Sequence, residues 1–155
     1  MAIVIPLALV GWQYYETKIV PTHNVSSLCN DPNGISKHVY NPSRLQTLAS
    51  CITVTGIASR TIQEADGDMH IWITLNAANS SYSNSPDIHN GDLVAEIVCV
   101  YPITQWDATG VCGNYTNQIA LPASGDNVIV SGPYVLDTLH NWKEIHPVYS
   151  LTISS

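Results

Sequence analysis

The chain has 155 residues, 45% of them apolar and only 11% charged, with 12 acidic against five basic side chains and a formal charge of −7. That length can bury a core without a metal or a partner, and the apolar share excludes a disordered acidic chain. Lys18, Lys37, Arg44, Arg60 and Lys143 are scattered, which disfavours nucleic acid, since a phosphate-binding groove needs clustered cations.

Residues 1–15 carry no charge, and their apolar part, residues 2–10, is short for a membrane span of about 20 residues. The basic start of a secretory signal is missing too. The segment reads as an anchor remnant, with Trp12, Tyr14 and Tyr15 suited to a membrane boundary. The alternatives are a strand of the fold or an element of self-assembly through residues 1–20. Residues 1–28 are therefore set apart as apolar segment and connector, and residues 29–155 as the domain.

Turn signals crowd residues 29–50, at Asn30-Asp31-Pro32-Asn33-Gly34 and at Asn41-Pro42-Ser43. A short helix is predicted over 42–50 with Asn41 as its N-cap. A first strand is predicted over 51–58, with Gly56 where a bent strand wants a glycine. After the Asp66-Gly67-Asp68 turn, Met69, Ile71, Ile73 and Leu75 alternate with His70, Trp72 and Thr74, which predicts a half-buried strand. A polar loop over 76–90 precedes an apolar strand over 93–100, and residues 101–124 form a long excursion. Strand signals return at 128–131 and, beyond the Gly132-Pro133 bend, at 134–136. A closing strand runs over 142–153. Five strands with a long insertion between the third and fourth predict an all-β, OB-like five-stranded barrel, a small sandwich being the alternative.

Cys29, Cys51, Cys99 and Cys112 form an even set without the close pairs typical of zinc sites. Four cysteines allow three pairings, and proximity in sequence favours Cys29–Cys51 and Cys99–Cys112. Candidate glycosylation sequons begin at Asn24, Asn79 and Asn114. With few charges and even cysteines they point outside the cytoplasm, to the cell surface or a membrane anchor.

The motifs Gly67-Asp68-Met69-His70, Gly91-Asp92-Leu93-Val94-Ala95-Glu96, Gly125-Asp126-Asn127-Val128, Gly132 and Glu144-Ile145-His146-Pro147-Val148 carry a resemblance. Over about residues 51–153 the chain resembles an uncharacterised family of exported archaeal and actinobacterial domains. These share a GD-x-H turn and a closing E-[IL]-H-P-V strand. The resemblance implies an OB-like barrel outside the cytoplasm, often behind an N-terminal anchor, and no established activity. Where the family has His-Gly before the last strand, this chain has His140-Asn141, and Asn tolerates the left-handed backbone such a turn needs.

Period-2 arithmetic supplies the candidate site. If Ile145, Pro147, Tyr149, Leu151 and Ile153 face the core, Glu144 and His146 share the opposite face, as do Asp68, His70 and Trp72 on the earlier strand. Were those two strands adjacent, His70, Glu144 and His146 would converge, with Asp68, Asp137 and His140 nearby. Two imidazoles and a carboxylate suit zinc, copper or iron. The same three also make a hydrogen-bonded brace without metal. Trp72, Trp106 and Trp142 are candidates for a stacking surface for sugars or bases, in a chain with eight Tyr and no Phe. No nucleophile motif or phosphate loop occurs. The expectation is a non-catalytic exported domain that binds or self-assembles. A metal-binding domain and an OB-type nucleic-acid or saccharide module are the alternatives.

Overall fold

The computed structural model describes residues 28–154. The apolar segment, the connector and the Asn24 sequon lie outside these residues, apart from Leu28. Six strands form one mixed sheet: β1 (Leu45–Gln63), β2 (Met69–Leu75), β3 (Leu93–Ile97), β4 (Asn127–Asp137), β5 (Trp142–Ile145) and β6 (Ser150–Ser154). The order is β1-β2-β3-β5-β4, and β4 pairs back onto β1, so five strands close a ring. β3 and β5 run parallel, every other pair is antiparallel, and β6 extends β4 along residues 127–131.

The ring closes because β1 changes partner along its length. Residues 45–57 pair with β4 and residues 56–63 with β2, so Gly56 and Ile57 face both neighbours. A Cβ on Gly56 would stand 2.4 Å from the Thr74 carbonyl oxygen, which is why the bend takes a glycine. Inside the ring, Val54, Ile71, Ile73, Ala95, Val130 and Ile145 are at most 1% exposed and belong to one apolar cluster, and Met69 joins them. Leu151 packs against its edge. The inward parity expected of 69, 71, 145 and 151 is therefore present.

Several boundaries differ from expectation. No helix covers 42–50: a single 3₁₀ turn spans Pro42–Arg44, Asn41 is left-handed and its side chain caps nothing. From Leu45 the backbone pairs with Asp137–Tyr134 instead, and the ladder overrides local propensity. The third strand stops at Ile97 because Cys99 adopts φ 60° and gives its N–H to the Asp68 carboxylate at 2.7 Å. The two pieces expected around Gly132-Pro133 are one strand; Pro133 needs no N–H there, and its carbonyl accepts from His146 N–H at 3.0 Å. The closing strand is split at residues 146–149. This shifts parity: Val148 enters the main core, Tyr149 packs on a second cluster and Ile153 is 39% exposed.

Both disulfides are formed, Cys29–Cys51 and Cys99–Cys112, matching the pairing that proximity favoured. Cys99–Cys112 sits in the second cluster with Ile35, Val39 and Val98, pinning the excursion after β3 to the ring. Two such bonds fit an oxidising, extracellular-type environment. Among the described residues no helix is long and apolar enough to cross a membrane.

Candidate functional site

β2 and β5 do not pair: β3 lies between them, and its outward residues are Val94 and Glu96. His70 and Glu96 are direct partners across β2 and β3, while Val94 and Ala95 pair with Glu144 and Ile145. Alternation then turns Asp68, His70 and Trp72, Glu96, and Glu144 with His146 away from the apolar interior. This outer face is itself covered, so every residue of β3 is buried on both sides. Asp68, Glu96, Glu144 and His146 are at most 2% exposed, and His70 8%.

Glu96 is the hub. Its Oε2 accepts from His70 Nε2 at 2.9 Å and lies 3.1 Å from His146 Nδ1; Arg44 approaches Oε1 at 3.8 Å. The same His146 nitrogen donates to Glu144 Oε1 at 2.8 Å, and Glu144 Oε2 accepts from Trp142 Nε1 at 2.8 Å. Arg44 Nε reaches Asp137 at 3.4 Å, and Asp137 accepts from His140 Nδ1 at 2.7 Å and from the amides of Leu139 and His140. Those amides close the turn that Asn141 completes at φ 58°. His70 Nδ1 faces Glu64 at 3.4 Å.

Charge sets the protonation pattern. Burial by itself would lower the His146 pKa, but Glu96 and Glu144 outweigh it and push it up to about 10. Burial would likewise raise Glu96, yet its two imidazoles hold it well below the ordinary carboxylate range. Burial, reinforced by Glu96 and Asp66, pushes Asp68 up to about 9, so it stays neutral at pH 7. His70 is raised, burial being outweighed by Glu96 and Glu64.

Over this network opens a cleft of about 360 Å³, lined among others by Tyr40, Arg44, Glu64, Asp66, Trp72 and Trp142. Three imidazoles, His70, His89 and His140, also line it. His140 stacks on Trp142 at 4.5 Å, and Trp72 meets Trp142 edge-on at 5.3 Å. Larger hollows of 460 Å³ at the Gly56 bend and 510 Å³ beside Cys99–Cys112 contain no carboxylate, imidazole or cation. A hollow of about 380 Å³ shares Trp72 and His89 with the cleft and carries Arg60 and Asp92; the cleft is the one lined by His70 and Arg44 of the network.

Of the residues expected from sequence, Glu144 and His146 bond directly, and His70 joins them only through Glu96. Sequence reasoning passed over Glu96 and Arg44. The signal for Glu96 was its place as the sole charge in the apolar run 93–100, on the parity opposite Ala95 and Ile97. Trp72 is 4% exposed and packs in the cleft wall. Trp106 is 85% exposed, between Gln105 of the wall and Asp107, which accepts from Tyr40 Oη at 2.6 Å. Asn114 is exposed, whereas Asn79 is half-buried and its Oδ1 accepts from the Thr55 amide at 2.9 Å. Comparison of the chain with protein-family models, with curated proteins and with solved structures finds no match, so the resemblance in the GD-x-H and E-[IL]-H-P-V motifs stands on those residues alone.

Proposed function

We propose that this chain is an exported, non-catalytic binding domain with an OB-like barrel, whose cleft takes a neutral saccharide at the cell surface. One observation carries the reading: a cleft walled by Trp72, Trp142, Tyr40 and His140 also presents the carboxylates of Glu64 and Asp66. Ring faces cover the C–H patches of a pyranose, and carboxylates accept its hydroxyl protons. Leu139 of the cleft wall is 70% exposed, and Trp106, which follows Gln105 of that wall, is 85% exposed. The five-stranded ring supports the OB-like architecture, and the disulfides support export. The charge of −7 argues against an anionic ligand, nucleic acid included.

The test is a glycan array carrying neutral, amino and acidic sugars, followed by tryptophan-fluorescence titration with the best neutral hit. Binding that weakens in Trp142→Ala and Trp106→Ala is expected. No neutral glycan retained, or retention indifferent to both substitutions, overturns the reading.

A further inference from the structure

We propose that Asp68, Glu96 and His146 bind one divalent first-row transition ion, Zn²⁺ or Mn²⁺, in the buried layer outside the ring. Each of the three offers a ligand atom, and these atoms all lie within 4.8 Å of one another. They come from three separate pieces of chain: the turn before β2, β3, and the turn after β5. Ligand atoms around an ion with bonds of about 2.1 Å stand roughly 3 Å apart, so the set closes by no more than about 2 Å on binding. Neither His70 nor Glu144 belongs to such a mutual set among the described residues.

An independent observation points the same way. The His146 side chain is fully buried, and its Nε2 has no hydrogen-bond partner. Its other nitrogen is held by Glu144 at 2.8 Å and Glu96 at 3.1 Å. An ion takes the place of the proton on Nε2 while Nδ1–H stays with its carboxylate, which is how metal-bound histidines are oriented. A buried ring nitrogen left bare loses its hydration without compensation, and an ion supplies the missing partner.

The ion brings its two positive charges in place of the protons that Asp68 and His146 otherwise hold, in a layer where Arg44 already meets Glu96 at 3.8 Å and Asp137 at 3.4 Å. Two oxygens and one imidazole suit Zn²⁺ or Mn²⁺ rather than Cu⁺, which prefers sulfur. Asp68 also lies within the same reach of Cys99 and Cys112, but those sulfurs are joined in a disulfide and offer no thiolate. Glu144 then acts as a positioning residue for His146, and His70 links Glu96 to Glu64 in the cleft.

The experiment uses the full 155-residue chain, stripped with EDTA and titrated with Mn²⁺ followed by EPR, and with Zn²⁺ against a chromophoric chelator. One ion per chain is expected, with ¹⁴N coupling from a histidine in the pulsed EPR spectrum of bound Mn²⁺. Asp68→Asn retains the Oδ1 acceptor for the Cys99 amide and so keeps the fold, to be checked by circular dichroism. It should weaken uptake at least about tenfold, while Glu64→Gln leaves uptake unchanged. No stoichiometric uptake at up to about 1 mM ion, uptake without nitrogen coupling, or uptake unchanged in folded Asp68→Asn overturns the proposal. These outcomes are independent of whether a glycan binds.

Discussion

Replacing Glu96 by Gln removes one negative charge from a point that two imidazole nitrogens approach at 2.9 and 3.1 Å and Arg44 at 3.8 Å. Each charge-assisted hydrogen bond between buried groups is worth about 1.5–3 kcal/mol, so the two imidazole contacts put at stake about 3–6 kcal/mol. Breaking a buried ion pair from one side gives a similar figure, about 3–5 kcal/mol, because the surviving cations stay buried. The amide of Gln also places an N–H where donors already converge. Urea unfolding followed by tryptophan fluorescence in EDTA measures the loss at constant slope. Glu64→Gln is the internal control: it faces the same His70 from the cleft, its side chain is 36% exposed, and the change should cost less than about 1 kcal/mol. A loss below about 1 kcal/mol for Glu96→Gln would refute the idea that this carboxylate holds the layer together.

Folded Asp68 and His146 keep their protons up to about 9 and about 10, against ordinary values of 3.8 and 6.5. The folded chain thus binds more protons, and stability in EDTA should fall as pH rises, for Asp68 from about 4 through about 9 and for His146 from about 6.5 through about 10, by up to about 1.4 kcal/mol per unit for each proton. Glu96, held below 4.5, works in the opposite sense and loses its contribution as pH drops beneath that value, so a maximum is expected in mildly acid solution; a flat profile from pH 6 to 9 would contradict this. Converting Cys99 and Cys112 together to Ala opens a loop of sequence separation 13 and should cost about 2–4 kcal/mol, read as a lower thermal midpoint. Gly132→Ala places a Cβ 2.4 Å from the Pro147 carbonyl oxygen and should cost about 1–3 kcal/mol, whereas Gly110→Ala meets nothing within 4 Å and should stay within about 0.5 kcal/mol.

The inner face of the sheet was legible because its alternation is strict: Met69, Ile71 and Ile73 point where period 2 sends them. The ring connectivity was not legible, because nothing local in residues 45–50 distinguishes a strand that pairs with β4 from a capped helix. That choice depends on a partner some 90 residues away. The split in the closing strand was hidden for a related reason: Glu144-Ile145-His146 keeps its parity, and only the following residues shift it. Glu144 and His146 were correctly placed on the outer face, but their neighbour was taken to be β2. With β3 inserted, Glu96, the one charge in the otherwise apolar run Leu93–Ile97, proves to be the residue that links both histidines.

A sheet buried on both faces is usually apolar on both, because desolvating charges costs several kcal/mol per ion and paired charges recover that only when their geometry is favourable. Here the inner face obeys that rule, and the outer one places Asp68, His70, Glu96, Glu144 and His146 where Val or Leu would bury at no such cost. Nearly every group in the layer is bonded, which accounts for its persistence but not for its presence. The exceptions carry the information. The three buried side-chain nitrogens left without partners among the described residues, Arg44 NH1, Trp72 Nε1 and His146 Nε2, all belong to the network or its cleft wall. The metal site proposed above would supply one of the three, His146 Nε2, with a partner from outside the chain.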